Sequence, residues 1–118
     1  MALSMDLDQS DELWVLTVAG ELDYGECPGF RMQIDRVLRA APPALIVDAS
    51  GLEYLDSSGL GLLLSLSREF ASSGGHLVLV TNDTVDNILE MTRLAGVFSI
   101  ASNAQQARDL LADTSHRV

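Results

Sequence analysis

The stretch that most restricts the fold of this chain is the apolar run at residues 44–50, ALIVDAS. A strand with one face in water alternates apolar and polar residues, whereas this run is apolar at four consecutive positions before Asp48. Such runs are typical of strands that are buried on both faces of a parallel sheet. Because parallel strands need crossover connections that are usually helical, the run predicts an α/β fold.

The rest of the chain supplies the other elements of such a sheet. Short β-rich runs predict further strands at residues 2–7, 13–19, 76–80 and 97–100. Helical spacing and end signals predict helices at residues 26–40, 60–71, 84–94 and 103–111. An N-terminal hairpin followed by alternating helices and strands predicts a small mixed four- to five-stranded sheet, with helices packed mainly on one face. We expect a single domain over residues 1–118, with its core at about residues 2–112 and a flexible tail at 113–118.

The charge of the chain restricts its partners. It contains 17 Asp and Glu against seven arginines and no lysine, which gives a net charge of −10. A nucleic-acid binder needs a basic face, and an anionic membrane surface repels an acidic protein, so neither partner is expected. The single cysteine, Cys27, fits a reducing compartment, and the acidic N-terminus does not resemble a signal peptide. We therefore expect a cytoplasmic protein.

Residues 55–61, LDSSGLG, contain the side chains best suited to a functional site. Asp56, Ser57 and Ser58 are each able to cap the following helix by accepting a hydrogen bond from a free backbone N–H. One cap needs only one of these side chains, so a hydroxyl is left over at the N-terminus of the helix.

The glycines of this segment also need an explanation. Gly59 and Gly61 each disfavour a helix by about 1 kcal/mol relative to alanine. Glycine lets another backbone or side chain approach closely. We expect that the two glycines, together with the apolar Leu60, leave the spare hydroxyl accessible to a partner protein.

Catalysis by these residues lacks the groups that it needs. A hydrolase elbow reads Gly-x-Ser-x-Gly, which neither serine matches, and the candidate bases His76 and His116 are not placed to reach Ser58. Asp48 resembles the phosphoacceptor of a receiver domain, but that chemistry needs a lysine, so we favour a strand-end residue that accepts loop N–H bonds. The sequence contains no phosphate-binding loop and no metal-ligand spacing, and no cofactor is expected.

Three stretches are familiar in combination: GELD at residues 20–23, LIVDASGLEYLDSSGLGLLL at 45–64 and MTRLAGVFSI at 91–100. Together they resemble the STAS domain of bacterial anti-sigma factor antagonists, and the specific part is DSSGLG after an apolar strand. The resemblance covers nearly the whole chain. It implies a small mixed sheet with helices on one side, in agreement with the predicted order of elements.

The resemblance implies a regulator that switches partners and is not an enzyme. In that family the unphosphorylated antagonist binds an anti-sigma factor that is also a serine kinase, and so releases a sigma factor. The kinase phosphorylates the second serine of the motif, here Ser58, with Ser57 as the second candidate. A PP2C-type phosphatase restores the active form. The implied partner-binding residues are Asp23, Asp56, Ser57, Gly59, Leu60 and Gly61.

Two other functions remain open at this point. One is a STAS accessory or scaffold subunit of a complex without a kinase, such as a lipid-transport ABC system. The other is a hydrolase that uses Ser58, which needs a base that the sequence does not supply. Neighbouring genes distinguish the antagonist from the accessory subunit, because a kinase gene favours the antagonist and transporter genes favour the accessory subunit.

Overall fold

The apolar run at residues 44–50 lies in the central strand of a sheet, in a computed structural model that describes residues 2–115. The strands are β1 (Leu3–Gln9), β2 (Leu13–Leu22), β3 (Ala44–Leu55), β4 (His76–Val80) and β5 (Ser99–Ala101). The helices are α1 (Cys27–Ala40), α2 (Ser57–Ser72), α3 (Asp83–Met91) and α4 (Ala104–Ser115). Short 3₁₀ turns at Tyr24–Glu26 and Ala95–Val97 precede α1 and β5.

The strands lie in the order β1-β2-β3-β4-β5, and β1 runs antiparallel to β2 while the other pairs are parallel. This arrangement confirms the predicted mixed sheet with an N-terminal hairpin. Helices α1, α2 and α3 each connect one parallel strand to the next. Because β2, β3 and β4 are parallel, the loops that follow them meet at one edge of the sheet, where binding sites of such folds usually lie.

Alternate positions of the central strand face two different apolar layers. Leu45 and Val47 belong to a large core that is covered by α1, α2 and α3. Ile46 points the other way, into a smaller cluster that includes Ala107 of α4. Three helices thus pack on one face and α4 packs on the other, which confirms that the helices lie mainly on one face.

Strands β2 and β3 are longer than the sequence predicted. β3 runs to Leu55 instead of residue 50, and β2 runs to Leu22 instead of residue 19. Their pairing continues through two register shifts, with Ala19 opposite Gly51 and Leu22 opposite Leu55. Gly51 permits the close approach, because a Cβ atom there would lie 2.9 Å from the Cβ of Ala19. The irregular pairing hides this extension from a search for simple alternation.

Several helix ends also differ from the predictions. Helix α2 starts at Ser57 instead of residue 60, and α3 ends at Met91 instead of residue 94, close to Arg93 with its left-handed φ of 61°. Helix α4 continues to Ser115, so the tail predicted at 113–118 begins inside it, and residues 116–118 lie outside the described residues. Within residues 2–115, no helix has the length and apolar character needed to cross a membrane.

Asn82 connects the end of β3 to α3. Strand β4 pairs with β3 only as far as Asp48. Beyond that point Nδ2 of Asn82 donates hydrogen bonds to the carbonyl oxygens of Ser50 (2.9 Å) and Leu52 (2.8 Å). Its Oδ1 accepts the N–H of Val85 (2.9 Å) and so caps α3. The side-chain amide of Asn82 therefore bonds to β3 where β4 no longer does, and it is also the N-cap of α3.

We predict that Asn82→Ala lowers the free energy of unfolding by about 2 kcal/mol, because a helix cap and the donors to two carbonyls are lost together. Urea denaturation measures the change. Asn87→Ala is the matched control, since Asn87 is exposed on α3 and its side chain makes no hydrogen bond within residues 2–115. Equal losses in the two variants would contradict this role of Asn82.

Candidate functional site

The carboxylate of Asp56 organises the sheet edge where β2 and β3 end. Asp56 is the N-cap of α2, and its Oδ1 accepts the N–H groups of Ser58 and Gly59 at N···O distances of 3.0 and 3.1 Å. Its Oδ2 accepts the N–H of Tyr24 at 3.0 Å. One side chain therefore caps the helix and also holds the loop after β2.

Asp23 lies next to this contact, in the loop that joins β2 to α1. The residues on both sides of it bond to Asp56, because Tyr24 donates to the carboxylate and the carbonyl of Leu22 accepts the N–H of Asp56 (3.2 Å). The carboxylate of Asp23 itself caps the 3₁₀ turn by accepting the N–H of Glu26 (3.1 Å). The structure thus brings two predicted site residues, far apart in the sequence, to one edge of the sheet.

The two serines of the motif differ in their surroundings. Ser57 is exposed and Ser58 is half-buried. Among residues 2–115, neither hydroxyl takes part in a hydrogen bond, since Asp56 alone caps the helix. The structure thereby selects one of the three predicted caps and leaves both hydroxyls unused. The spare hydroxyl at Ser58 is, however, less exposed than the sequence suggested.

Gly59 and Leu60 do not expose the serine as expected. Gly59 is buried against β2, and a Cβ atom there would lie 2.6 Å from Cγ and 3.0 Å from the carbonyl oxygen of Leu22. Leu60 is only 6% exposed and packs in the large core. Gly59 therefore permits a close approach, as expected of a glycine, but the group that approaches is Leu22 of β2. Leu60 anchors the helix, and a direct contact of either residue with a partner stays a prediction.

Gly61 does lie open to solvent. A Cβ atom on Gly61 would have no neighbour within 4 Å. The residue lines a surface cleft of about 480 Å³ between the loop after β2 and the first turns of α1 and α2. The cleft is lined by Tyr24, Cys27, Arg31, Ser57, Ser58, Gly61, Leu62 and Ser65. Both candidate serines therefore open onto the same cleft.

Cys27 lies on the α1 side of this cleft. Its Sγ donates a hydrogen bond to the carbonyl oxygen of Asp23 (3.3 Å). Burial raises the pKa of the thiol, the negative charges of Asp56 and Asp23 raise it further, and the positive charge of Arg31 opposes them. The thiol therefore stays protonated at neutral pH and serves as a hydrogen-bond donor rather than as a nucleophile.

Of the eight residues that line the cleft, five are absent from the predicted site, and Tyr24 and Arg31 are the two with side chains suited to binding. Tyr24 is 76% exposed at its rim, next to the predicted Asp23. Among residues 2–115, Arg31 is the only cation that lines the cleft, and it follows Cys27 by one helical turn. Helical spacing places Arg31 on the same face of α1 as Cys27, but only the packing of α1 beside α2 brings that face to Ser58.

Other chemistries have no support at this site. His76 pairs with Ala44 at the start of β3, so it lies at the opposite edge of the sheet from Ser58, and His116 lies outside the described residues. Asp48 accepts the N–H (3.0 Å) and the hydroxyl (2.7 Å) of Ser50, so its role as a hydrogen-bond acceptor is confirmed. Its predicted position at a strand end is wrong, because β3 continues to Leu55 and Ser50 lies within it. Residues 2–115 contain no group of three or more His, Cys, Asp or Glu that could hold a metal ion.

Comparison with known proteins gives a consistent picture. A family model described as STAS domain matches residues 4–107. The anti-sigma F factor antagonist of Paenibacillus polymyxa is 27% identical over 109 residues, which are 91% of this chain and 93% of that protein.

Solved structures agree with this match. The crystal structure of an anti-sigma factor antagonist from Mycobacterium paratuberculosis has a TM-score of 0.84 and 25% identity, over 95% of this chain and 96% of that one. The Bacillus cell fate determinant SpoIIAA in its phosphorylated form has a TM-score of 0.71 and 25% identity, over 92% and 99%.

The two glycines of the motif generate opposite predictions for alanine. Gly59→Ala should lower the free energy of unfolding by about 1–3 kcal/mol, because the new methyl group overlaps Leu22 and its backbone. Gly61→Ala should raise it by about 0.5–1 kcal/mol, because the helix gains propensity and the methyl group meets open space. Thermal or urea unfolding of the two variants measures both effects, and changes of the same sign would contradict the close contact at Gly59.

Proposed function

Because the chain belongs to the STAS domain family, we propose that it acts as an anti-sigma factor antagonist. The relatives that it matches over most of their length are named as anti-sigma factor antagonists, and that name describes a regulator, which supports a role for this chain other than that of an enzyme. In the unphosphorylated state the protein binds an anti-sigma factor with serine kinase activity, and the sigma factor is released. The proposal includes a cytoplasmic location, where that kinase has ATP.

Phosphorylation of Ser58 switches the antagonist off. The observation that carries this proposal is the free hydroxyl of Ser58 beside a cleft, on a helix that Asp56 caps without it. SpoIIAA, a protein with a similar fold, has a solved structure in its phosphorylated form. In the transfer step, the hydroxyl oxygen of Ser58 bonds to the γ-phosphorus of ATP, the bond to ADP breaks, and the hydroxyl proton passes to a base on the kinase. A PP2C-type phosphatase removes the group by hydrolysis.

The charge of the phosphate is sufficient to disrupt a protein interface. At pH 7 a phosphoserine adds about −1.5 to −2 charges. The group would stand two residues from Asp56 and near Asp23, in a chain with a net charge of −10. A tenfold loss of affinity requires only about 1.4 kcal/mol, and desolvation of a phosphate dianion at an interface easily exceeds that value.

The partner surface is the cleft together with its rim. Asp23 and Asp56 fix the backbone of the surface, Ser57 and Gly61 lie open on it, and Tyr24 is its exposed aromatic residue. Aromatic residues often dominate binding energy at interfaces, so we place Tyr24 among the partner contacts. Gly59 and Leu60 contribute through the position of α2, since both are buried.

We predict that incubation with the cognate kinase and ATP adds one phosphate, on Ser58. Ser57→Ala should retain phosphorylation, whereas Ser58→Ala should abolish it. Intact-mass spectrometry followed by peptide mapping measures the stoichiometry and the site.

Circular dichroism of both variants provides the control for folding. Neither hydroxyl makes a hydrogen bond within residues 2–115, so both alanine variants should fold like the parent. Absence of phosphate on the parent protein, or its presence on a residue other than Ser58, would refute the proposed switch.

A further inference from the structure

A phosphate on Ser58 would lie at the N-terminus of α2, where the carboxylate of Asp56 already binds the helix N–H groups. The N-terminus of a helix stabilises anions because its first N–H groups are free. Here the N–H groups of Ser58 and Gly59 already donate to Oδ1 of Asp56. The phosphate would therefore lie near the carboxylate of Asp56 and could not use the N–H groups of Ser58 and Gly59 as donors. It needs another positive partner.

Arg31 is the cation that the cleft supplies. It is exposed on α1 and lines the same cleft as Ser58. Within residues 2–115, neither Arg31 nor any other arginine forms a salt bridge, so no acidic group of this part of the chain pairs with Arg31. Its charge reaches the interior of the cleft, where it opposes the effects of Asp56 and Asp23 on the thiol of Cys27.

We infer that the guanidinium of Arg31 pairs with the phosphate on Ser58 across the cleft. The inference rests on the proposed function, since it concerns the phosphorylated form. Arginine matches phosphate with two parallel N–H···O bonds, and such charge-assisted bonds are stronger than neutral ones. Arg31 and Ser58 already line the same cleft, so the pair forms between neighbouring walls of one surface feature.

The pair gives phosphorylation a second consequence. In the unmodified protein Arg31 lines the cleft as the one cation that residues 2–115 place there, and it is available to an acidic partner. Once it binds the phosphate, the partner meets an added anion and also loses that cation. Arg31 is thus a positioning residue for the phosphate, and the switch removes one favourable contact while it adds one unfavourable group.

The pair is tested by the pKa of the phosphate. Phosphoserine is introduced at position 58 during translation, and its ³¹P chemical shift is titrated between pH 4 and 9. A nearby cation favours the dianion and lowers the second pKa, which is about 6 in an unperturbed phosphoserine. Arg31→Gln should raise the pKa of the phosphate by about 0.5, the size expected for an exposed ion pair.

Two further variants make the result specific. Arg36→Gln removes an exposed arginine of α1 that does not line the cleft, so the pKa should stay at the parent value. Arg31→Lys keeps the charge, so its pKa should stay closer to the parent than that of Arg31→Gln. Circular dichroism confirms that all the variants are folded.

Identical pKa values in the parent, Arg31→Gln and Arg36→Gln would overturn the ion pair. The same conclusion would follow if Arg36→Gln raised the pKa as much as Arg31→Gln does. Because the phosphoserine is introduced without a kinase, the test does not depend on finding one. Failure of the ion pair would leave the proposed switch standing, and failure of the kinase assay would leave this titration valid.

Discussion

The structure of the candidate site depends on the three hydrogen bonds that the carboxylate of Asp56 accepts. These bonds join the end of β3, the loop after β2 and the first turn of α2. Without them, no side chain would bond both to the backbone of Tyr24 and to the first turn of α2. The elements that form the cleft would then be less firmly positioned relative to one another. Gly59 completes the arrangement, since its missing side chain lets α2 lie directly on Leu22.

The cap at Asp56 bears on the proposed phosphorylation of Ser58. Asp56 already satisfies the N–H groups of Ser58 and Gly59, so α2 does not depend on a phosphate for its N-terminal cap, and we expect the helix to persist when one is added. Under the proposed switch, the phosphate would change the charge of a surface that is already in place. Asp23, Asp56 and Arg31 would then set how strongly a partner responds to that change.

The central strand and the order of elements could be predicted from the sequence, because the run at residues 44–50 is apolar on both faces and α1 shows regular helical spacing. The extension of β3 to Leu55 could not, since its pairing with β2 passes through bulges. Asp56, Ser57 and Ser58 were equivalent caps in the sequence, and the start of α2 at Ser57 together with the bond from Tyr24 distinguishes Asp56. The burial of Gly59 and Leu60, and the position of Arg31 on the cleft that Ser58 also lines, depend on how the helices pack, which local sequence patterns do not encode.

The central claim is that a phosphate on Ser58 abolishes partner binding through its charge, on an unchanged fold. Isothermal titration calorimetry of the cognate anti-sigma kinase against the protein with and without phosphoserine at position 58 tests it most directly. The account predicts at least a tenfold higher Kd for the phosphorylated protein, or about 1.4 kcal/mol, with far-ultraviolet circular dichroism unchanged. Equal Kd values for the two forms, or a weaker affinity that accompanies loss of helix, would contradict it.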